Sequence, residues 1–359
     1  GNYGEIYDKH LQQITERSNG NQINRGSTAR MYALPFGLVD INAPSPAGRL
    51  QEIRDRGVLR CGVRLNAGFA ELEQGEWTGV DADYCRAVSA AIFSGSPDKV
   101  IFVNYPFSER FKALQSEKVD LLAATTTVNL IRDVKEPTTG VGFTFSQPIF
   151  YDGLSFGGIP PFVTCADNLN TSGECQNLLV CVETGSTFEE LISKLFGNRH
   201  IVTSATYESS LTKLVTGACN IVAGGRLDVA EEPVRNLGGY LGPYEVGQNT
   251  FSKDPLSLVT KQDDSQWSSF VNWVVEAIIY AEEQGITQSE SSRMPVQFLF
   301  GPLYSRTLRD AIQAVGNHGE IYTRSMERIV TRSGLNMLNK NIDGPQHYPY
   351  PGVGEDFAL

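Results

Sequence analysis

Between about Val58 and Thr216, short apolar runs alternate with stretches whose apolar residues recur at helical spacing. That alternation predicts an α/β protein with mostly parallel sheets. A helix-like segment at Arg49–Arg56 leads into an apolar strand at Val58–Val63, and Ala82–Phe93 reads as a helix. A strand at Val100–Val103, a helix at Glu109–Ser116 and a strand at Asp120–Ala123 follow, the last running into Thr125-Thr126-Thr127. The aromatic-rich Phe143–Phe156 is expected to cross to a second lobe. There, Leu179–Val182, Ile201–Ser204 and Cys219–Ala223 read as strands, and Phe188–Phe196 and Tyr207–Thr216 as helices. Leu256–Thr260 is expected to cross back. A long helix over Trp267–Glu283, with Trp267, Val271, Val274, Val275 and Ile278 on one face, then packs onto the first lobe. The expected division is an arm at 1–45, lobe one at 46–150 and 254–359 (which includes a tail), and lobe two at 151–253.

A chain of 359 residues with 41% hydrophobic content can bury two ordinary cores. Its net charge of −11 argues against a nucleic-acid footprint and against docking on an anionic membrane, leaving small solutes or proteins as partners. The most apolar helix, around Phe270–Tyr280, is interrupted by Asn272 and Glu276 and does not reach membrane-spanning length. The chain starts at Gly1 without an initiator Met, which reads as a mature or trimmed product. Its histidines, His10, His200, His318 and His347, stand beside no Ser or Cys nucleophile motif, and no Gly-rich phosphate loop appears. The expectation is a protein that is not an enzyme and needs no cofactor or metal, although two acids distant in sequence can always meet in space.

Six cysteines, Cys61, Cys85, Cys165, Cys175, Cys181 and Cys219, lack zinc-type spacing and a companion His cluster. Disulfides in an oxidising compartment fit them, with buried thiols as the alternative. A glycosylation sequon at Asn170-Thr171-Ser172 leans the same way. The opening Gly1-Asn2-Tyr3-Gly4-Glu5-Ile6-Tyr7 recurs, with six of seven residues matching, at Gly316-Asn317-His318-Gly319-Glu320-Ile321-Tyr322. A separation of 315 residues (316 − 1) makes the repeated unit a whole domain pair, so the chain reads as one unit of a tandem array.

Several segments, in their order and spacing, resemble the general L-amino-acid-binding proteins of bacterial ABC transporters, members of the type II periplasmic-binding-protein fold. They are Arg60-Cys61-Gly62-Val63, Gly79–Val88, Glu109–Ser116, Arg132-Asp133, Tyr151-Asp152-Gly153, Ala281–Gln288 and Gly316–Ile321, and the likeness covers roughly Gly48 to Pro351. The resemblance implies a two-lobed Venus-flytrap fold, here with an N-terminal arm, in a periplasmic or secreted protein. In that family the tail resembling Gly316–Gly352 closes the chain, so its likeness at Gly1–Gly37 is an addition.

The resemblance also implies a ligand site at strand ends, where open α/β sheets bind ligands. Arg132 matches the element that holds a ligand carboxylate, a task suited to a planar, permanently charged fork. Thr125, Thr127 and Asn129 would face one side of an extended run. Ser186 and Thr187, after Gly185, would cap a helix whose N–H groups could take the same carboxylate. Phe69, Tyr105 and Phe107 lie near wall positions. One departure stands out: where the family carries an Asp that grips the ligand's ammonium, this chain has Gly225 followed by Arg226, and Glu71 or Asp228 are the candidate replacements. The cysteine pairing expected is Cys61–Cys85 and Cys181–Cys219, matching family cysteines, with Cys165–Cys175 closing a short Asn/Ser/Gly-rich loop. The function implied is capture of a small carboxylate-bearing solute, an amino acid or organic acid, with a membrane transporter or neighbouring repeats as partners. The alternative is a structural or signalling module whose binding is lost or changed.

Overall fold

The computed structural model describes residues 48–134, 140, 142–236, 239–338 and 340. The 1–45 arm and the first copy of the repeat lie outside the described residues. Two compact units divide the chain: one from 1–60, 78–101 and 262–359, the other from 61–77 and 102–261.

The described part of the first unit is chiefly helical. Helix α1 (Arg49–Arg56) buries Leu50 and Ile53 and stops where Gly57 turns left-handed, its N–H returning to Ile53 O and Arg54 O. Helix α2 (Val80–Ile92) is buried almost all round, as its run of alanines and Val88 allows. The long α9 (Ser265–Glu283) starts at Asp264, whose carboxylate accepts the Trp267 N–H at 2.9 Å and the Arg49 N–H of α1 at 2.7 Å. One acid therefore caps two helices. Helices α10 (Thr307–Val315) and α11 (His318–Ser325) complete the layer, α11 opening on an Asn317/Glu320 capping box. The second copy of the repeat thus serves as a helix start. Tyr84 Oη meets His318 Nδ1 at 2.9 Å, and Arg324 pairs with Asp83 at 2.6 Å.

Two five-stranded sheets define the two lobes. The first has the order β4 (Val100–Asn104), β1 (Leu59–Val63), β5 (Leu121–Thr127), β12 (Asp254–Lys261), β6 (Phe143–Asp152). β1 and β5 are parallel, with Cys61 opposite Leu121, whereas β12 runs antiparallel to both β5 and β6. The second sheet has the order β11 (Glu245–Val246), β7 (Leu154–Gly158), β10 (Ile221–Gly225), β8 (Val180–Glu183), β9 (Ile201–Ser204). β10, β8 and β9 are parallel and β7 is antiparallel to its neighbours. The sheets are thus mixed rather than mostly parallel, because the strands that carry the chain from one sheet to the other need no crossover helix.

Helix α3 (Phe107–Gln115) flanks the first sheet, and α5 (Pro160–Asp167), α6 (Thr187–Phe196) and α7 (Tyr207–Val215) flank the second. Phe156, Val180, Val182, Phe188, Ile192 and Ile221 form a core between β7, β8, β10 and α6. Each such side chain contributes about 1.5–3 kcal/mol by leaving water. Cys165–Cys175 ties α5 to the turn after it, and Cys181–Cys219 ties β8 to the approach to β10. Cys61 and Cys85 are disulfide-bonded as well, and no described cysteine is free.

Candidate functional site

The chemistry collects where strands end. Immediately after β1, Arg64 is 4% exposed, and its Nε and Nη2 donate to Glu183 Oε2, at the end of β8, at 3.3 and 2.8 Å. Its Nη1 lies 3.8 Å from Asp228 Oδ1, and neither of those atoms makes a hydrogen bond. The guanidinium stacks 4.1 Å from the Phe107 ring, and Arg110 approaches the same ring at 4.0 Å. Glu183 also accepts the Phe107 N–H at 3.1 Å. Burial pulls the Arg64 pKa down, but Asp228 and Glu183 outweigh it and hold the group above its ordinary value. Arg64 is therefore a fixed charge, neutralised by carboxylates from the second sheet and the loop after β10.

Thr125, Thr127, Ser186, Thr187 and Phe107, all anticipated from the sequence, line one pocket together with Asn66, Arg110, Asp152 and Asp228. Its volume is about 20 Å³. That is room for a single water. Thr125 holds φ at +46°, a conformation that costs a β-branched residue about 1–3 kcal/mol and is found where a site over-determines the backbone. Ser186 caps α6, its Oγ accepting the Glu189 N–H at 3.2 Å, while the Gly185 N–H goes to Glu189 Oε2 at 2.8 Å. The helix start is thus partly satisfied by its own residues.

Arg132 stands beside this pocket rather than in its wall. Its Nη1 donates to Thr127 O at 2.8 Å and its guanidinium lies 5.0 Å from the Phe111 ring, and among the described residues the rest of the fork has no hydrogen bond. Burial lowers its pKa to about 10, against the opposing charges of Asp254 and Glu190. Asn129 lies past the end of β5 and caps the short α4 (Leu130–Asp133), accepting the Arg132 N–H at 3.0 Å. Phe69 is core, edge-on to Phe150 at 5.1 Å, and Tyr105 packs on the cluster around Leu114 and Leu122. Glu71 accepts the Gly68 N–H at 3.1 Å at the start of a hairpin and does not line the pocket. Asn170 is exposed in a loop, its Oδ1 accepting from Ser172.

Gly225 proves to be a matter of space, not of left-handed backbone. A Cβ there would fall 1.9 Å from Asp152 Oδ2, so the end of β6 occupies the room a side chain would take. Asp152 Oδ1 accepts the N–H groups of Arg226 and Gly153, each at 2.9 Å. Burial, then the nearby charge of Asp228, pushes its pKa up to about 7. Burial likewise raises Asp228, with Arg64 pulling the other way. Gly224 serves a similar purpose, since a Cβ would meet Asp228 Cβ at 2.9 Å.

Arg64, Asn66, Arg110, Glu183 and Asp152 are the polar and charged site residues that sequence reasoning missed. The available signal was position alone: Arg64 directly follows an apolar strand, and Glu183 closes one. A larger open depression of about 520 Å³ lies by Gln288, Arg306 and Arg309, but no buried ionisable group lines it. The buried charges mark the smaller pocket as the site.

Residues 59–156 match the family of bacterial extracellular solute-binding proteins, family 3. The general L-amino acid-binding periplasmic protein AapJ of Rhizobium johnstonii is 30% identical over 331 residues, 84% of this chain and 92% of that protein. The glutamate/glutamine/aspartate/asparagine-binding protein BztA of Rhodobacter capsulatus is 28% identical over 80% of this chain and 89% of its own length. Among solved structures, a periplasmic binding protein of an ABC transporter from Brucella ovis, with glutathione bound, superposes with a TM-score of 0.64 at 29% identity. It covers 82% of this chain and 94% of that one. With its two mixed sheets and a pocket of buried charges at their strand ends, the chain belongs to family 3 of the bacterial extracellular solute-binding proteins.

Proposed function

We propose that this chain is the solute receptor of an ABC-type amino-acid importer. It captures a small carboxylate-bearing solute, an amino acid or related organic acid, outside the cytoplasm and presents it to a membrane transporter without chemical change. The observation that carries the reading is the convergence of Thr125, Thr127, Ser186 and Thr187 on one buried pocket, with the underused fork of Arg132 beside it. Hydroxyls and a guanidinium suit a carboxylate, and they stand on strand ends and a helix start that can hold them still. Disulfides at all six cysteines fit an oxidising compartment. Ligand-induced thermal stabilisation against amino acids and organic acids tests the reading, with Arg132→Ala expected to remove the shift.

A second reading is favoured by Arg64. Its guanidinium is paired with Glu183 and with Asp228, an acid of the pocket wall, and the pocket itself has only about 20 Å³. Such a protein would be a structural module that has exchanged its solute for an internal ion pair. The recurrence of Gly1–Tyr7 at Gly316–Tyr322 supports a tandem array whose neighbouring units would be its partners. Under this reading no compound in the panel stabilises the protein.

A further inference from the structure

The helical layer of α2 and α9 forms a seat for the segment that begins at Gly316. Asn317 caps α11 and sends its Nδ2 to Ile286 O at 2.9 Å. A Cβ at Gly319 would fall 2.6 Å from Glu282 Oε1, so only glycine passes that carboxylate. Ile321 is fully buried and Tyr322 is 2% exposed. Arg324 pairs with Asp83 of α2 at 2.6 Å. Beyond α11, Arg332 forks onto Glu282 of α9, its Nη2 donating to Oε2 at 3.0 Å, and both side chains are 8% exposed. The seat therefore selects its occupant by a tight glycine, an apolar pair and two cations.

The sequence carries a second segment with these features. The likeness between the opening residues and Gly316–Tyr322 continues without a gap through 1–25 and 316–340, with eleven identical positions. The identities fall on the contacts: Asn2, Gly4, Ile6 and Tyr7 correspond to Asn317, Gly319, Ile321 and Tyr322, and Arg17 corresponds to Arg332. Lys9 keeps the cation of Arg324, and Leu11 the apolar bulk of the buried Met326. Asp8, Gln13 and Glu16 stand in place of Thr323, Arg328 and Thr331, all exposed positions where the seat imposes nothing.

We propose that residues 1–25 dock on the α2/α9 seat of a second copy of this chain, in exchange with that copy's own residues 316–340. In its own copy the seat is already taken. Residues 26–47 can extend up to about 70 Å, enough to reach a neighbour. The resident segment has the advantage of its tether, which gives it an effective concentration in about the millimolar range. It also has the better fit, since His10 is larger than the buried Ser325 and Tyr3 larger than the buried His318. Exchange therefore shows once the resident is weakened. Docking of this kind is independent of whether the pocket takes a solute.

The test is sedimentation and thermal melting of the full chain as the parent, Ile6→Asp, Ile321→Asp and the double variant. Ile6→Asp alone is expected to leave mass and melting as in the parent. Ile321→Asp places a carboxylate at a fully buried position and dislodges the resident. Its average mass is then expected to rise with concentration as residues 1–25 of a second copy take the seat. Adding Ile6→Asp should abolish that rise and lower the melting temperature by a further 4 °C or so, about 1–2 kcal/mol. No rise in mass and no effect of Ile6→Asp on the Ile321→Asp chain overturn the proposal, as does association that survives Ile6→Asp. An effect of Ile6→Asp on melting at constant mass puts the segment on its own copy and overturns the second-copy assignment. A chain whose residues 316–340 are replaced by the sequence of 1–25 decides the matter should Ile321→Asp not fold. It is expected to fold and to be destabilised by Glu282→Gln as the parent is; a chimera that does not fold overturns the docking.

Discussion

Replacing Arg64 by Met removes the only cation bonded to Glu183 among the described residues while keeping much of the aliphatic volume. Glu183 is 3% and Asp228 7% exposed, so the change strands two carboxylates away from water. Removing one partner of a buried pair typically costs about 3–5 kcal/mol, and a desolvated contact with a ring such as Phe107 adds about 0.5–2 kcal/mol. Glu183 still accepts the Phe107 N–H, which holds the total toward the lower end, about 3–5 kcal/mol. Urea unfolding of the parent, Arg64→Met, Glu183→Gln and the double variant measures it, and the cycle is expected to return a coupling of about 2 kcal/mol or more. The pH dependence has a definite sign. The Asp228 pKa is already raised by burial, and without Arg64 it rises further. A carboxylate that gains a proton on folding favours the folded state at low pH, so the penalty shrinks as pH falls toward the raised Asp228 pKa. A coupling below about 1 kcal/mol, or a penalty that grows on acidification, would refute the assignment of Arg64 as a buried, carboxylate-held cation.

Gly225→Asp is expected to destabilise by about 1–3 kcal/mol rather than to restore an amine partner, since its Cβ would overlap Asp152 Oδ2 at 1.9 Å; chemical denaturation with ligand titration reads both effects. His318, whose pKa burial lowers to about 3, is neutral in the fold and charged below about 6.5 when unfolded. Stability is therefore lost as pH falls across that window, by up to about 1.4 kcal/mol per unit, and His318→Phe should flatten the slope of a melting-temperature profile. Breaking Cys181–Cys219, 38 residues apart, should cost about 4 kcal/mol, and Cys165–Cys175, 10 apart, about 3 kcal/mol, by release of unfolded-chain entropy. Paired Cys→Ala variants with melting temperatures within a degree or so of the parent would show that neither loop constraint matters.

Much of the fold was legible because apolar periodicity records which face is buried. Ile201–Ser204 and Arg49–Arg56 carry the same bounds in sequence and structure. The strand read at Asp120–Ala123 extends to Thr127 because the threonines are themselves strand formers. Phe143–Phe156 read as one crossing run, whereas it is two strands divided at Gly153, where a Cβ would strike Ser252 O at 2.2 Å. The hairpin of β2 (Glu71–Glu73) and β3 (Glu76–Thr78) went unread, although Gln74 and Gly75, both at positive φ, are the two-residue turn that such hairpins use. At the site, Thr125, Thr127, Ser186 and Thr187 were visible as polar residues at element ends. Arg64 and Glu183 were not, because they meet across 119 residues of sequence, and Asp152 reaches Arg226 across 74. Charge partners brought together by sheet order leave no local pattern to read.

The place of β12 has a consequence for assembly. It lies between β5 and β6, yet it is the last strand of its sheet to be synthesised. The second sheet uses only residues 154–246, an unbroken stretch of chain that can pair completely as soon as it emerges. Until residues 254–261 arrive, β5 and β6 hold facing edges of unpaired N–H and C=O groups with an empty lane between them. Such edges invite strands from other molecules. If strands pair in the order they are synthesised, one lobe is finished while the other is still an open template, until one eight-residue strand arrives.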